Sequence, residues 1–144
     1  MKIKSREGYV GVDISIAIII LLFMIPTIMG IVYFVNSSRL STQIKSEAIN
    51  ILVNTIETAK GINVEDIDEA SIFNSISGYS VQDIEDNEAV IKTDTASYKL
   101  QINIQDFSGT NSGSEQKVVK TIIATVIYKI RNIEEKMDLK TVLK

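Results

Sequence analysis

The chain has no cysteine, no histidine, no tryptophan and a single proline among its 144 residues. Without cysteine there is no disulfide framework and no thiol chemistry. Without histidine as well, the commonest zinc and transition-metal ligands and the usual general base are missing. Serine and aspartate are plentiful, but no nucleophile elbow or lysine motif accompanies them, so no catalytic set stands out. No internal repeat is evident. Positive charge is also scarce beyond the N-terminus: from Arg39 onward there are 12 bases against 16 acids, net −4. That balance opposes a general phosphate-binding surface, and nucleic acid is not an expected partner. The length allows one domain.

What the chain does have is concentrated at its start. Lys2, Lys4 and Arg6 stand against the single acid Glu7, followed by Gly8, Tyr9, Val10, Gly11, Val12 and then Asp13. From Ile14 to Ser38, 25 positions, no residue is charged. The apolar part, Ile14 to Val35, is 22 residues, enough at 1.5 Å per residue for roughly 33 Å of helix, about one hydrocarbon core. A cleaved secretory signal would carry an apolar core of only about 7–15 residues. The basic leader should stay cytoplasmic, which places Arg39 to Lys144 outside. Asp13, an acid at the rim of such a span, is costly there and needs a partner or a function. Pro26 cannot donate a backbone hydrogen bond to Leu22, and with Gly30 one turn later it is expected to kink or locally melt the helix.

The string "REGYVGVD" followed by an apolar helix resembles the class III signal of type IV prepilins and pseudopilins. In that family a prepilin peptidase cuts after the glycine on the cytoplasmic side, and the new N-terminal residue is usually methylated. The resemblance implies cleavage between Gly8 and Tyr9 and N-methylation of Tyr9. Asp13 falls at the fifth mature position, where the family typically has Glu, and its implied role is to pair with the N-terminal ammonium of a neighbouring subunit. A buried carboxylate needs a counter-charge, and a neighbour's amine supplies one. Tyr9 stands where Phe is commoner, Glu7 where a base is more usual, and Pro26 a few residues before the family's common helix proline. The resemblance covers roughly Lys4 to Lys60. It implies the prepilin peptidase, other pilin subunits, an inner-membrane assembly platform and membrane lipid as partners, and no cofactor. The implied location is a single pass in the cytoplasmic membrane, N-terminus inside, and then a pilus or the cell surface.

Past the apolar run, Leu40, Ile44, Ala48, Ile51, Leu52, Ile56 and Ala59 recur at three- and four-residue steps, while Gln43, Lys45, Glu47, Asn50, Asn54 and Glu57 fill the other face. The helix is expected to run from Ile14 to Lys60 and stop at Gly61. Asn63 is a candidate cap for a short helix through Ile67 to Ile76, ended by Gly78. Strand patterns follow at Tyr79–Ile84, Ala89–Thr93 and Ser97–Phe107, the last with Tyr98, Leu100, Ile102 and Ile104 on one face. Ser108–Gln116 reads as a flexible loop. Lys117–Ile130 is apolar on both faces, as for a central strand covered by a helix. Asn132–Glu135 is the expected turn, and Met137–Leu143 the closing strand. The expected fold is α+β: a long N-terminal helix packed on a small antiparallel sheet, pilin-like. It divides into a leader (1–8), a membrane or filament-core helix (9–38), its amphipathic continuation (39–60) and a globular domain (61–144).

Two charge clusters remain. Eight acids and no base lie between Gly61 and Ile91, and the run from Asp83 to Glu88 holds enough hard oxygens for calcium but lacks the spacing of an EF-hand loop; a solvated hairpin turn accounts for it equally. Lys117–Lys144 holds seven bases and fewer acids, so acid-rich and base-rich parts could meet between subunits or simply keep the surface soluble. Tyr79, Tyr98, Phe107 and Tyr128 sit in strand patterns and are expected in the core or on a sheet face rather than as stacking platforms. The expected function is structural, a minor pilin or pseudopilin. An uncleaved single-pass anchor carrying a binding or sensor domain is the alternative, and an anchored enzyme is disfavoured by the missing His and Cys.

Overall fold

The computed structural model describes residues 6–108 and 118–144. It contains a helix α1 (Arg6–Gly61), a short helix α2 (Glu69–Ser75) and five strands: β1 (Ser80–Glu85), β2 (Glu88–Lys92), β3 (Ser97–Ser108), β4 (Val118–Ile130) and β5 (Ile133–Leu143). The chain forms two compact units, Met1–Leu40 and Ser41–Lys144.

Helix α1 begins at Arg6, eight residues before the expected start. Once the apolar run nucleates a helix, adding Arg, Glu and Gly residues at its N-terminal end costs little, because only nucleation is expensive. It ends as expected at Gly61, with Lys60 in the last turn beside the unpaired carbonyls.

Helix α2 is capped at Asp68, not at Asn63. The Ser71 amide donates to Asp68 Oδ1 at 2.6 Å and the Asp68 amide donates to Ser71 Oγ at 3.1 Å, a reciprocal capping box. Hydrogen bonding by Ser71, from its backbone amide first and then its hydroxyl, holds the Asp68 carboxyl below the usual carboxylate range. Ile67 before the cap and Ile72 in the first turn are both buried, the positions of a hydrophobic staple. Asn63 instead opens a turn in which its carbonyl accepts from the Asp66 amide at 3.1 Å.

The strands pair antiparallel in the order β1-β2-β3-β4-β5, a meander. The bounds of β1 to β4 fall within one residue of the sequence expectation, and the larger difference is at the last turn. Ile130 pairs with Ile133, so only Arg131 and Asn132 form the turn, and Glu134 and Glu135 belong to β5. Both turn residues have positive φ, 51° and 67°. That is the type I′ geometry whose twist matches a two-residue hairpin, here made without glycine. Of the expected flexible loop Ser108–Gln116, Ser108 closes β3 and the remainder lies outside the described residues.

Within Ser41–Lys144 the helical segment lies on one face of the sheet. Ile44, Ala48, Ile51, Leu52 and Ile56 are buried together with Tyr98, Leu100 and Ile102 of β3 and Ile122, Ala124, Val126 and Tyr128 of β4. The two-residue period of a strand places these on one side and their neighbours on the other. On that other side Ile123 and Ile127 are half-buried, opposite Asn103 and Lys99 of β3 and Lys140 and Lys136 of β5. Buried polar groups are few among the described residues: Thr55 is fully enclosed and donates its hydroxyl to the Ile51 carbonyl at 2.8 Å.

Candidate functional site

Residues 11–40 of α1 are helical, and the apolar run within them is exposed. Phe23, Tyr33 and Phe34 expose 73%, 77% and 68% of their surface, and the isoleucines around them are half exposed or more. A helix apolar on every side is suited to a non-aqueous surrounding, lipid or other helices, rather than to water. From Gly11 it is the one described helix long and apolar enough to cross a membrane.

The serine and threonine hydroxyls in the apolar run are satisfied internally. Ser15 Oγ donates to the Gly11 carbonyl and Thr27 Oγ1 to the Phe23 carbonyl, both at 2.8 Å. Such bonds back to the preceding turn keep a hydroxyl paired where no water is available. The helix continues through Pro26 and Gly30 without a break, so the local melting expected there is not found. Proline removes one bond of the ladder, while the turns on either side remain intact. A Cβ added at Gly11 or Gly30 would meet nothing within 4 Å, so nothing in the described chain requires a glycine at either place.

Asp13 lies at the N-terminal end of this apolar stretch, exposed, and has no hydrogen-bond or ion-pair partner among the described residues. The Gly8–Tyr9 bond falls in the first turn of α1, in backbone that is helical. Gly8, Tyr9 and Asp13 are thus carried on one helix, Asp13 five residues beyond Gly8, with Pro26 and Gly30 farther along it.

A second polar constellation has no counterpart in the sequence pattern. Glu47, which the helical periodicity assigns to the solvated face, is half-buried and receives hydrogen bonds from Thr95 Oγ1 (2.7 Å), Tyr98 OH (2.8 Å), Thr93 Oγ1 (2.8 Å) and Gln43 Nε2 (3.3 Å). Burial alone would raise the Glu47 pKa, yet the bonds from Thr95, Tyr98, Thr93 and Gln43 together hold it below the usual glutamate value. Burial first, and then the adjacent carboxylate, push the Tyr98 hydroxyl well above its ordinary range. The carboxylate fastens the helix to the β2–β3 turn. No spacing rule marks such a residue, because its partners on the sheet lie 46 to 51 positions away. A second tie joins Lys45 Nζ to Glu135 Oε2 at 3.0 Å, with Tyr128 OH donating to the same oxygen at 3.2 Å.

The other candidate residues are placed as follows. Asp83 and Asp86 take positive φ at an irregularity of β1 and at the β1–β2 turn, and among the described residues no group of three or more acids could hold a metal ion. Glu88 pairs instead with Lys99 and Gln101 across the sheet. Tyr98 and Tyr128 are core residues with ring centroids 6.2 Å apart, which removes them as nucleic-acid stacking platforms, and Tyr79 is half-buried. Lys120 donates to the Ile67 carbonyl at 3.0 Å, steadying the segment before α2. No family model, curated protein or solved structure matches the chain.

Proposed function

We propose that this chain is a structural subunit of a type IV pilus-like filament, a minor pilin or pseudopilin, that waits in the membrane and then packs through its N-terminal helix. The observation that carries the reading is Asp13: an exposed acid without a partner among the described residues, at the start of an uncharged, exposed helical run. A carboxylate in that setting needs a cation from outside, and a helix exposed all round needs lipid or other helices. A neighbour's Tyr9 ammonium, freed by cleavage after Gly8, supplies the charge and fixes the axial register between subunits. Glycines at positions 11 and 30, with no cause among the described residues, leave room for close approach of a second helix. Domain 41–144 then carries whatever contacts the filament makes with its surroundings.

The test is the N-terminal mass of the protein after co-expression with a prepilin peptidase. A start at Tyr9 with one added methyl group is the expected result. An intact Met1 start, with the peptidase active on a control substrate, would leave a single-pass anchor carrying a binding or sensor domain.

A further inference from the structure

The two edges of the sheet differ. β1 has six residues, shifts register between Gln82 and Glu85, and carries Asp83 at φ 48°. Such a bulge blunts an edge against further pairing. β5 has eleven residues, keeps one register against β4 from Ile133 to Leu143, and ends the sheet with no strand on its far side among the described residues. A strand of that length and regularity presents a row of unpaired backbone donors and acceptors.

The charges on β5 say what fits there. On the face turned away from the helix, Glu134, Lys136, Asp138 and Lys140 alternate in sign, are exposed, and make no ion pair among the described residues. An antiparallel copy of the same strand centred on Met137 sets Glu134 against Lys140 and Lys136 against Asp138, and repeats both pairs through the two-fold axis. Sliding the partner by two residues either way sets Lys136 against itself and Glu134 against Asp138, or Asp138 against itself and Lys136 against Lys140. Opposite charges across a strand pair stabilise it and like charges destabilise it, so one register is selected. On the other face a groove of about 280 Å³ runs between α1 and β5, lined by Ile49, Leu52, Val53, Met137 and Leu139. Ile49 and Val53 expose 49% and 40% of their surface. The two-fold brings the Met137 ends of two such grooves together.

We infer that β5 is a self-pairing edge, through which two copies of this chain join in one continuous antiparallel sheet centred on Met137. The contact is independent of the N-terminal reading. A two-fold axis perpendicular to the sheet reverses every direction lying in it, including that of helix segment 41–61. The helix segments 41–61 of the paired copies therefore run in opposite senses on one face of the joined sheet.

The chain's lack of cysteine makes the test direct. Met137→Cys and Thr141→Cys are made separately in the full chain, solubilised in detergent and treated with a mild oxidant. At the axis the thiol introduced at position 137 meets its own copy and forms a disulfide dimer; the thiol introduced at position 141, set opposite Ile133, does not. In the Met137→Cys background, Lys136→Glu should abolish the dimer, and Lys136→Glu with Asp138→Lys should restore it. All four substituted positions lie on an edge strand, and circular dichroism confirms that each variant is folded. No dimer from folded Met137→Cys would overturn the proposal and leave β5 as a charge-protected edge or the seat of a different strand. Equal cross-linking at position 141, or indifference to Lys136→Glu, would overturn the register.

Discussion

At the scale of single residues, two carboxylates have opposite circumstances. Glu47 is saturated by its own chain, and Asp13 has no described partner. Replacing Glu47 by Gln keeps the shape but removes the charge from three hydroxyl donors, and should cost about 1–3 kcal/mol in denaturant unfolding. The pH dependence follows from the sign of the shift. A carboxyl held below its ordinary value of 4.5 contributes stability that is fully present above that value and is lost as pH falls through the folded-state pKa. Asp68 and Glu88, also lowered, act in the same direction. Acidification below about pH 4.5 should therefore destabilise the domain, and Glu47→Gln should flatten that slope; an unchanged slope would remove Glu47 as an anchor. Asp13→Ala should leave membrane insertion intact and block filament incorporation, read as membrane-bound but unassembled subunit; normal incorporation would sink the pairing idea. Asp13 stands out in the sequence because charge is absent around it. Glu47 does not, because it sits where a helix on a sheet ordinarily shows solvated acids, and its partners are fixed only by the fold.

At the scale of elements, the sequence was legible wherever periodicity decides the outcome. The three- and four-residue steps from Ile44 to Ala59 identify the buried helix face, and the alternation from Tyr98 to Ile102 identifies its counterpart on the sheet, whereas Leu40, which the same steps place on that face, is 51% exposed. Ile51, fully buried on that face, should cost about 2–5 kcal/mol when cut to Ala. Ends were less legible, because they depend on local hydrogen bonds that several residues can make. Asn63 and Asp68 are both good caps, and the choice falls to Asp68 because Ser71 completes the box and Ile67 and Ile72 can then both be buried. The β4–β5 turn reads too long in the sequence because it lacks glycine, the usual mark of two consecutive positive φ values. Asn tolerates that region and a β-branched residue does not. Asn132→Val should therefore destabilise the hairpin by about 1–2 kcal/mol, measurable by thermal or denaturant unfolding.

At the scale of the whole molecule, composition changes close to the boundary between the two units: residues 14–38 carry no charge, and residues from Arg39 onward are net −4. The membrane reading makes one demand that a soluble core helix would not. Met24→Asp, near the middle of the apolar run, should raise the cost of insertion by about 2.5–3.5 kcal/mol and shift protein out of the alkali-resistant membrane fraction. Unchanged resistance to alkaline extraction would remove the span. The meander has a kinetic consequence as well. Every strand pairs with its predecessor, and two of the connections are two residues long, Asp86–Asn87 and Arg131–Asn132. Contacts that are local in sequence close small loops and form fast. A chain emerging N-terminus first can add each strand to the last as it appears, and no strand must wait for a distant partner. Of the described strands β5 emerges last, so until it has formed the edge offered to other molecules is that of an earlier strand.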